Sequence, residues 1–415
     1  MPFIVKFARL NRQTLLFPLA LVLFEFAVYI GNDMAQPAML FATREFGVSM
    51  SWVPISMTAY LVGGATLSWF TGPLSDRVGR RPVLLGGVLF FLLSCLATYF
   101  VFSIEAFIAL RVLQGLGLCF IGSVGYAVVQ ETFDEINAVK VTALMANVAL
   151  IAPMVGPLAG AALAGMAPWR TCFLVIAAIS LVSLIGLWKK MPETVNPDTG
   201  KPPYSQIIHD YIALFSQARF VHSSLSMALI SMALIGWIAM SPVLLVNDFG
   251  LTLFDYGLWQ LPVFLSLVAG NVVVFFIADR WPLGHSILIG FWPMLMGMVV
   301  AFTGLFVHLR SPLFLVTGIS LMAFAEGLSI SVLYRFALMS SEKAKGIVSA
   351  GMSMLAMVCY AIGIEITRVA YVAWGLNGFT LSVIALGCCY ILITRPRIHA
   401  EMTLRSSTEF STAPD

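Results

Sequence analysis

About twelve runs of roughly twenty apolar residues recur along this chain, and each is long enough to cross the hydrocarbon core of a bilayer as a helix. Inside lipid a segment must pair its own backbone groups, so a continuous apolar run of this length folds as a helix. The runs lie at 15–40, 52–74, 83–102, 106–129, 140–165, 170–188, 222–247, 255–278, 285–307, 312–338, 346–368 and 374–394. Of the 415 residues 60% are hydrophobic and 10% charged, which leaves little chain for a soluble domain. The predicted fold class is an all-α membrane protein of twelve transmembrane helices.

The basic residues orient this bundle. Lys6, Arg9 and Arg12 precede the first run without the layout of a cleavable leader, so that run is expected to remain as span one. An even number of spans puts both termini on one side. The segments on that side carry seventeen Lys and Arg residues, Arg77, Arg80, Arg81, Lys189, Lys190, Lys343 and Lys345 among them. The opposite loops carry only Arg44, Arg170, Arg310 and Arg368. Both termini are therefore expected in the cytoplasm. The net charge of +3 then reflects topology, and no nucleic-acid partner is expected.

The longest polar interruption, Met191 to Tyr204, holds four prolines and divides the chain. Behind it Ile207, Ile208, Tyr211, Ile212, Leu214 and Phe215 repeat at helical spacing, which predicts a short interfacial helix. The expected domains are residues 1–190, a six-helix bundle; 191–220, a cytoplasmic linker; 221–395, a second six-helix bundle; and 396–415, a cytoplasmic tail. Asp76-Arg77 and Asp279-Arg280, Pro37 and Pro242, and Gly64 and Gly270 recur at nearly one offset, consistent with an internal duplication. Two pseudo-symmetric bundles facing each other across a central cavity follow.

Several function classes drop out. No Gly-x-x-x-x-Gly-Lys-[Ser/Thr] loop is present, so ATP is not the expected energy source and an ion gradient is. The six cysteines lie within or at the ends of spans without metal-ligand spacing, and the five histidines fall in loops or at helix ends. No metal and no cofactor beyond a proton gradient is expected, and an enzyme is not.

Charges inside the runs carry the chemistry, because each costs about 2.5–3.5 kcal/mol at a helix centre. They are Glu25 and Asp33 in span one, Arg111 in span four, Glu326 in span ten and Glu365 in span eleven. Glu25 and Asp33 are separated by about 12 Å along a helix and about 80° around it, so both can line one cavity at different depths. A carboxyl's hold on its proton depends on its surroundings, including any nearby cation, and Arg111 is the candidate cation. A switch of Asp33 between its two protonation states would couple transport to protons; a static Asp33–Arg111 pair that only fixes helices is the alternative. Tyr29, Asn32, Gln36 and Pro37 give the same helix polar capacity that a lipid-facing helix would not tolerate.

Gly72-Pro73-Leu74-Ser75-Asp76-Arg77-Val78-Gly79-Arg80-Arg81 resembles the loop 2–3 motif of the major facilitator superfamily, in which Asp76 would cap the amino end of a facing helix. Arg111-Val112-Leu113-Gln114-Gly115 resembles the span-four motif of its drug/proton antiporters. Ala152-Pro153-Met154-Val155-Gly156-Pro157-Leu158-Ala159-Gly160 resembles their span-five antiporter motif, with Ala152 and Ala161 in place of glycines and Pro153 added. Glu25 with Tyr29 to Met34, Thr142 to Pro153, and Gly363 to Ile366 look like the matching stretches of bacterial multidrug members. The resemblance implies that fold, a bacterial inner-membrane location, Asp33, Glu25 and Arg111 as the proton-coupling residues, and an antiporter. Glu326 departs from the pattern.

The expected substrate surface is Tyr29, Asn32, Asp33, Met57, Tyr126, Ala149, Pro153, Ile235, Trp237 and Ile238, apolar and aromatic with a few polar points. It suits lipophilic cationic and neutral compounds, with the bilayer and protons as the other partners and the chain acting as a monomer. The alternatives are an exporter dedicated to one metabolite, siderophore or sugar, which a resistance profile would separate, and a membrane enzyme or sensor, which would show no gradient-driven flux in liposomes.

Overall fold

The computed structural model describes residues 15–195, 203–277, 282, 284–306 and 311–411, with the side chains of 146, 149, 150, 397 and 399–411 outside the description. Lys6, Arg9, Arg12, Lys201, Asp279, Arg280 and Arg310, used above for topology and repeat, fall outside it too. The chain forms helices α1 (Leu16–Asp33), α2 (Ala35–Glu45), α3 (Trp52–Thr66), α4 (Ser68–Val78), α5 (Arg80–Ala97), α6 (Ile104–Cys119) and α7 (Tyr126–Thr132). These are followed by α8 (Glu135–Met166), α9 (Thr171–Lys190), α10 (Tyr204–Phe215), α11 (Ala218–Pro242), α12 (Leu253–Ile277), α13 (His285–Gly304), α14 (Leu313–Leu338) and α15 (Lys345–Ser411).

Twelve spans emerge from these elements. Among the described residues nine helical stretches are long and apolar enough to cross a membrane. The last of them holds two spans, because the backbone leaves helical geometry at Trp374 and at Gly375, whose φ of 59° favours glycine. The other two are α3 with α4, which kink apart at Leu67, and α8, whose apolar part is Ile151–Met166. α8 begins earlier than the expected 140, since Asp134 accepts from the Asn137 amide and caps it while its first turns project beyond the apolar zone.

Two apolar cores form. One gathers Phe24, Val28, Phe91, Phe107, Val128 and Phe173 from the amino half; the other gathers Met227, Trp237, Phe264, Met298, Met322 and Phe379 from the carboxy half. Loops assigned to one side of the membrane also meet. Arg80 of loop 2–3 pairs with Glu131 at the end of span four at 2.9 Å, and Glu193 of loop 6–7 accepts from the Arg80 amide at 2.9 Å. At the other end Arg170 of loop 5–6 pairs with Glu45 of loop 1–2 at 2.7 Å and donates to the Val101 carbonyl of loop 3–4. On the side assigned to the cytoplasm by the basic residues α10 rests between the halves, its Tyr204 ring under Arg77 and its Asp210 paired with Lys343 at 2.7 Å.

Candidate functional site

Span one is two helices joined at Met34. Pro37 accounts for the joint: it lacks the N–H that would bond the carbonyl four residues back, which is that of Asp33. The interruption therefore falls beside the acid.

Arg111 of α6 is fully buried. Its Nε donates to Ser56 Oγ at 3.1 Å, Nη1 to the Gly31 carbonyl at 3.2 Å and to Gln114 Oε1 at 2.8 Å, and Nη2 to Asn32 Oδ1 at 3.2 Å. The guanidinium stands 4.5 Å from the Tyr60 ring, a cation–π contact, and Tyr60 Oη donates to the Val28 carbonyl. Gln114 is held in turn, donating to Thr98 Oγ1 at 2.9 Å and the Ser94 carbonyl at 3.3 Å. Gly115 completes the packing, because a Cβ there would lie 1.9 Å from the Tyr60 carbonyl oxygen of α3.

Arg111 and Asp33 form no ion pair. Asn32 accepts from Arg111 at Oδ1 and donates from Nδ2 to Asp33 Oδ1 at 3.1 Å, so one amide separates cation from acid. The static ion pair left open as an alternative by the sequence is thus not formed in this conformation. Asp33 is 3% exposed and Glu25 0%, so neither acid opens onto the central cavity expected beside them in this conformation. Tyr126 Oη donates to Glu25 Oε1 at 3.0 Å, and Glu25 Oε2 is buried without a partner. A π turn at Phe120–Gly125 immediately precedes Tyr126 and widens the helix where that side chain is aimed. Tyr29, half-buried, lies in electrostatic range of Glu25, Asp33 and Tyr360.

α8 presses on the joint of span one. A Cβ on Gly156 would lie 2.6 Å from Asp33 Cβ, and one on Gly160 would lie 2.4 Å from the Met34 carbonyl oxygen and 2.8 Å from Pro37 Cγ. The small residues of the antiporter-like stretch permit this approach, while Pro157 withholds an N–H from the carbonyl of Pro153.

The remaining substrate candidates divide. Tyr29, Asn32, Asp33 and Tyr126 gather around the acids, and Pro153 is half-buried on α8, three residues before Gly156. Met57 packs into the carboxy-half core. Trp237 is fully buried, donates to Gln260 Oε1 at 2.9 Å and lies 6.4 Å from the Phe379 ring, and Ile238 is 5% exposed beside it. The structure therefore places Trp237 within its own bundle, with Ile235 half-buried against the same core. Ala149 lies on α8, and its side chain is outside the described residues.

The loop 2–3 motif is a clamp within the amino half. Arg80 pairs with Asp76 at 2.6 Å and donates to Ser75 Oγ, while Glu193 accepts from the amides of Arg80 and Arg81 and so caps α5. Asp76 therefore engages its own loop, and the capping role expected of it is filled at α5 by Glu193 of loop 6–7. Gly79 has a φ of 114°, and a Cβ there would meet Glu193 Oε2 at 2.6 Å. Arg81 also donates to the Trp188 carbonyl, and Gly72 faces Ser123. Sequence reading missed Glu131 and Glu193; their only signal was an acid at each of two cytoplasmic helix ends.

Glu365 stands on the seam between halves. It accepts from Thr58 Oγ1 of α3 at 2.9 Å, pairs with Arg368 at 2.7 Å and lines a cleft of about 600 Å³ together with Ile362, Ile366 and Trp374. Among the described residues no group of three His, Cys, Asp or Glu could hold a metal ion.

The sequence profile described as Major Facilitator Superfamily matches residues 21–364. The chain is 47% identical over 383 residues to a "Multidrug transporter MdfA" of Yersinia pestis, covering 92% of this chain and 94% of that protein. It is 48% identical over 394 residues to "Chloramphenicol resistance protein CraA" of Acinetobacter baumannii, covering 95% of each. Among solved structures it resembles a bacterial homolog of the human lysosomal transporter Spinster in an inward-facing, unoccupied conformation, with a TM-score of 0.73 at 13% identity over 94% of this chain and 98% of that one. The human organic anion transporter MFSD10 (TETRAN) aligns with a TM-score of 0.64 at 17% identity, over 92% and 98%. These two likenesses speak to the fold.

Proposed function

We propose, for a chain that belongs to the major facilitator superfamily, that it is a proton-driven exporter of lipophilic cationic and neutral drugs working by alternating access. It is a multi-pass protein of the bacterial inner membrane and a transporter rather than an enzyme. The single observation that carries the reading is the Arg111–Asn32–Asp33 relay. A carboxyl held one amide away from a buried guanidinium can be neutral or charged without losing its neighbours, since Asn32 can keep donating to it in either state. A direct ion pair would lock it charged.

In this cycle a drug enters from the cytoplasm against the face formed by Tyr29, Asn32 and Tyr126. It displaces or reorganises the proton on Asp33 and on Glu25, whose Oε2 is free to exchange one. The bundles then rock, with α8 and the Met34 joint as the moving contact, and the drug leaves outward. Arg111 keeps the emptied carboxylates from standing buried without a cation. Relatives called a multidrug transporter and a chloramphenicol resistance protein support the cargo class and suggest chloramphenicol as the probe.

The test is drug accumulation in energised cells with and without an uncoupler. Wild-type cells should accumulate less chloramphenicol than empty cells, and the uncoupler should erase the difference; Asp33→Asn should match empty cells throughout. Exclusion that survives the uncoupler would refute proton drive.

A further inference from the structure

A buried acid that the cycle above does not use lies in the carboxy half. Glu326 of α14 is 7% exposed, accepts from Ser231 Oγ of α11 at Oε1, and leaves Oε2 buried without a partner. Near it the buried hydroxyl of Tyr390 lies within reach of the buried Ser329 and in electrostatic range of the acid. Tyr360 of α15 lies in electrostatic range of Glu326 and of Tyr29. Tyr360, Tyr390 and Ser231 are the polar or titratable groups facing it from neighbouring helices, and among the described residues it makes no ion pair.

The internal duplication gives this position meaning. Gly63 packs on Gly115 and Gly270 packs on Gly327: a Cβ on each would stand 1.9–2.4 Å from the carbonyl oxygen three residues before its partner glycine, so the structure pairs Gly270 with Gly63 and not with Gly64. Aligning the two glycine pairs sets Glu326, which precedes Gly327, opposite Gln114, which precedes Gly115 and holds Arg111. The carboxy half thus carries an acid where the amino half carries an amide, with no arginine beside it. A buried carboxylate with no cation beside it is costly, and a proton on Glu326 would remove that cost.

We propose that Glu326, with Ser231 and Tyr360, is a third proton-exchange site, which gives up its proton when drug occupies the seam between the halves and so raises the protons moved per drug. This rests on the proton-coupled reading above. In the step, the Glu326 O–H bond breaks, the proton passes to water at the opened seam and on to bulk solvent, and the carboxylate keeps the Ser231 hydrogen bond.

The experiment counts protons released in detergent on saturation with chloramphenicol for wild type, Asp33→Asn, Glu326→Gln and the double variant. Glu326→Gln should release about one proton fewer per bound drug than wild type, and the double variant fewer than Asp33→Asn; equal counts in both pairs overturn the proposal. A smaller but non-zero release in Asp33→Asn than in wild type tests the coupling reading separately. If Glu326→Gln does not fold, infrared difference spectra of wild type and Ser231→Ala decide. A protonated-carboxyl band that disappears on drug addition and is shifted by Ser231→Ala is expected, and a band that does neither refutes the assignment.

Discussion

Asp33 and Arg111 sit on different helices and are joined by one side chain, that of Asn32, which accepts from the arginine at 3.2 Å and donates to the acid at 3.1 Å. Asn32→Leu removes both contacts and leaves two ionisable groups facing an apolar side chain. A hydrogen bond to a charged group is worth about 1.5–3 kcal/mol, so transport should fall about tenfold or more while the protein still reaches the membrane. Efflux rate against protein level checks this; an unchanged rate would mean that the relay is ornamental.

Gly156 is where α8 meets that acid. In Gly156→Ala the new Cβ would stand 2.6 Å from Asp33 Cβ, and overpacking of this kind costs about 1–3 kcal/mol. The variant should lose most transport and melt lower than wild type. Gly86→Ala, whose Cβ would meet nothing within 4 Å, serves as the control and should be neutral or slightly stabilising.

How much of this was legible beforehand differs by residue. Glu25, Asp33 and Arg111 stood out because a charge inside an apolar run is costly, and Pro37 announced the break in span one. Their partners did not stand out: whether Arg111 meets Asp33 or Asn32 depends on a rotation of α6 against α1 that spacing within one helix cannot fix. Trp237 was placed on the substrate surface because α11 is apolar on all faces. Such a helix, with most of its residues buried, offers no periodicity to separate a cavity face from a core face. Glu193 was invisible for another reason: its partners Arg80 and Arg81 lie 113 and 112 positions away.

Thr58 and Glu365 tie the halves together by a 2.9 Å hydrogen bond. If the halves separate there during the cycle, a disulfide between Thr58→Cys and Glu365→Cys, in a background with the six native cysteines replaced, should stop transport. A reductant should restore whatever activity the uncrosslinked pair retains. Full transport in the oxidised pair would show that this seam does not open.

Glu45 offers a pH test away from the spans. Burial pushes its carboxyl up, but the hydrogen bonds from Arg170 and Trp169 and the charge of Arg170 outweigh this and hold it below the ordinary 4.5. A lowered pKa in the folded state means that the pair stabilises fully above the unfolded value and that the gain is lost as pH falls through the folded one. The melting temperature of wild type should therefore exceed that of Glu45→Gln near about pH 7 and converge with it near about pH 3. The gap should be small, because the Glu45 side chain is 46% exposed and screened.

The most direct measurement is transport by purified protein in liposomes under an imposed pH difference, read as drug and proton movement together. Wild type should move chloramphenicol one way and protons the other, and Asp33→Asn and Glu25→Gln should do neither. Amide variants that still concentrate the drug against its gradient when only a pH difference is supplied would contradict the account.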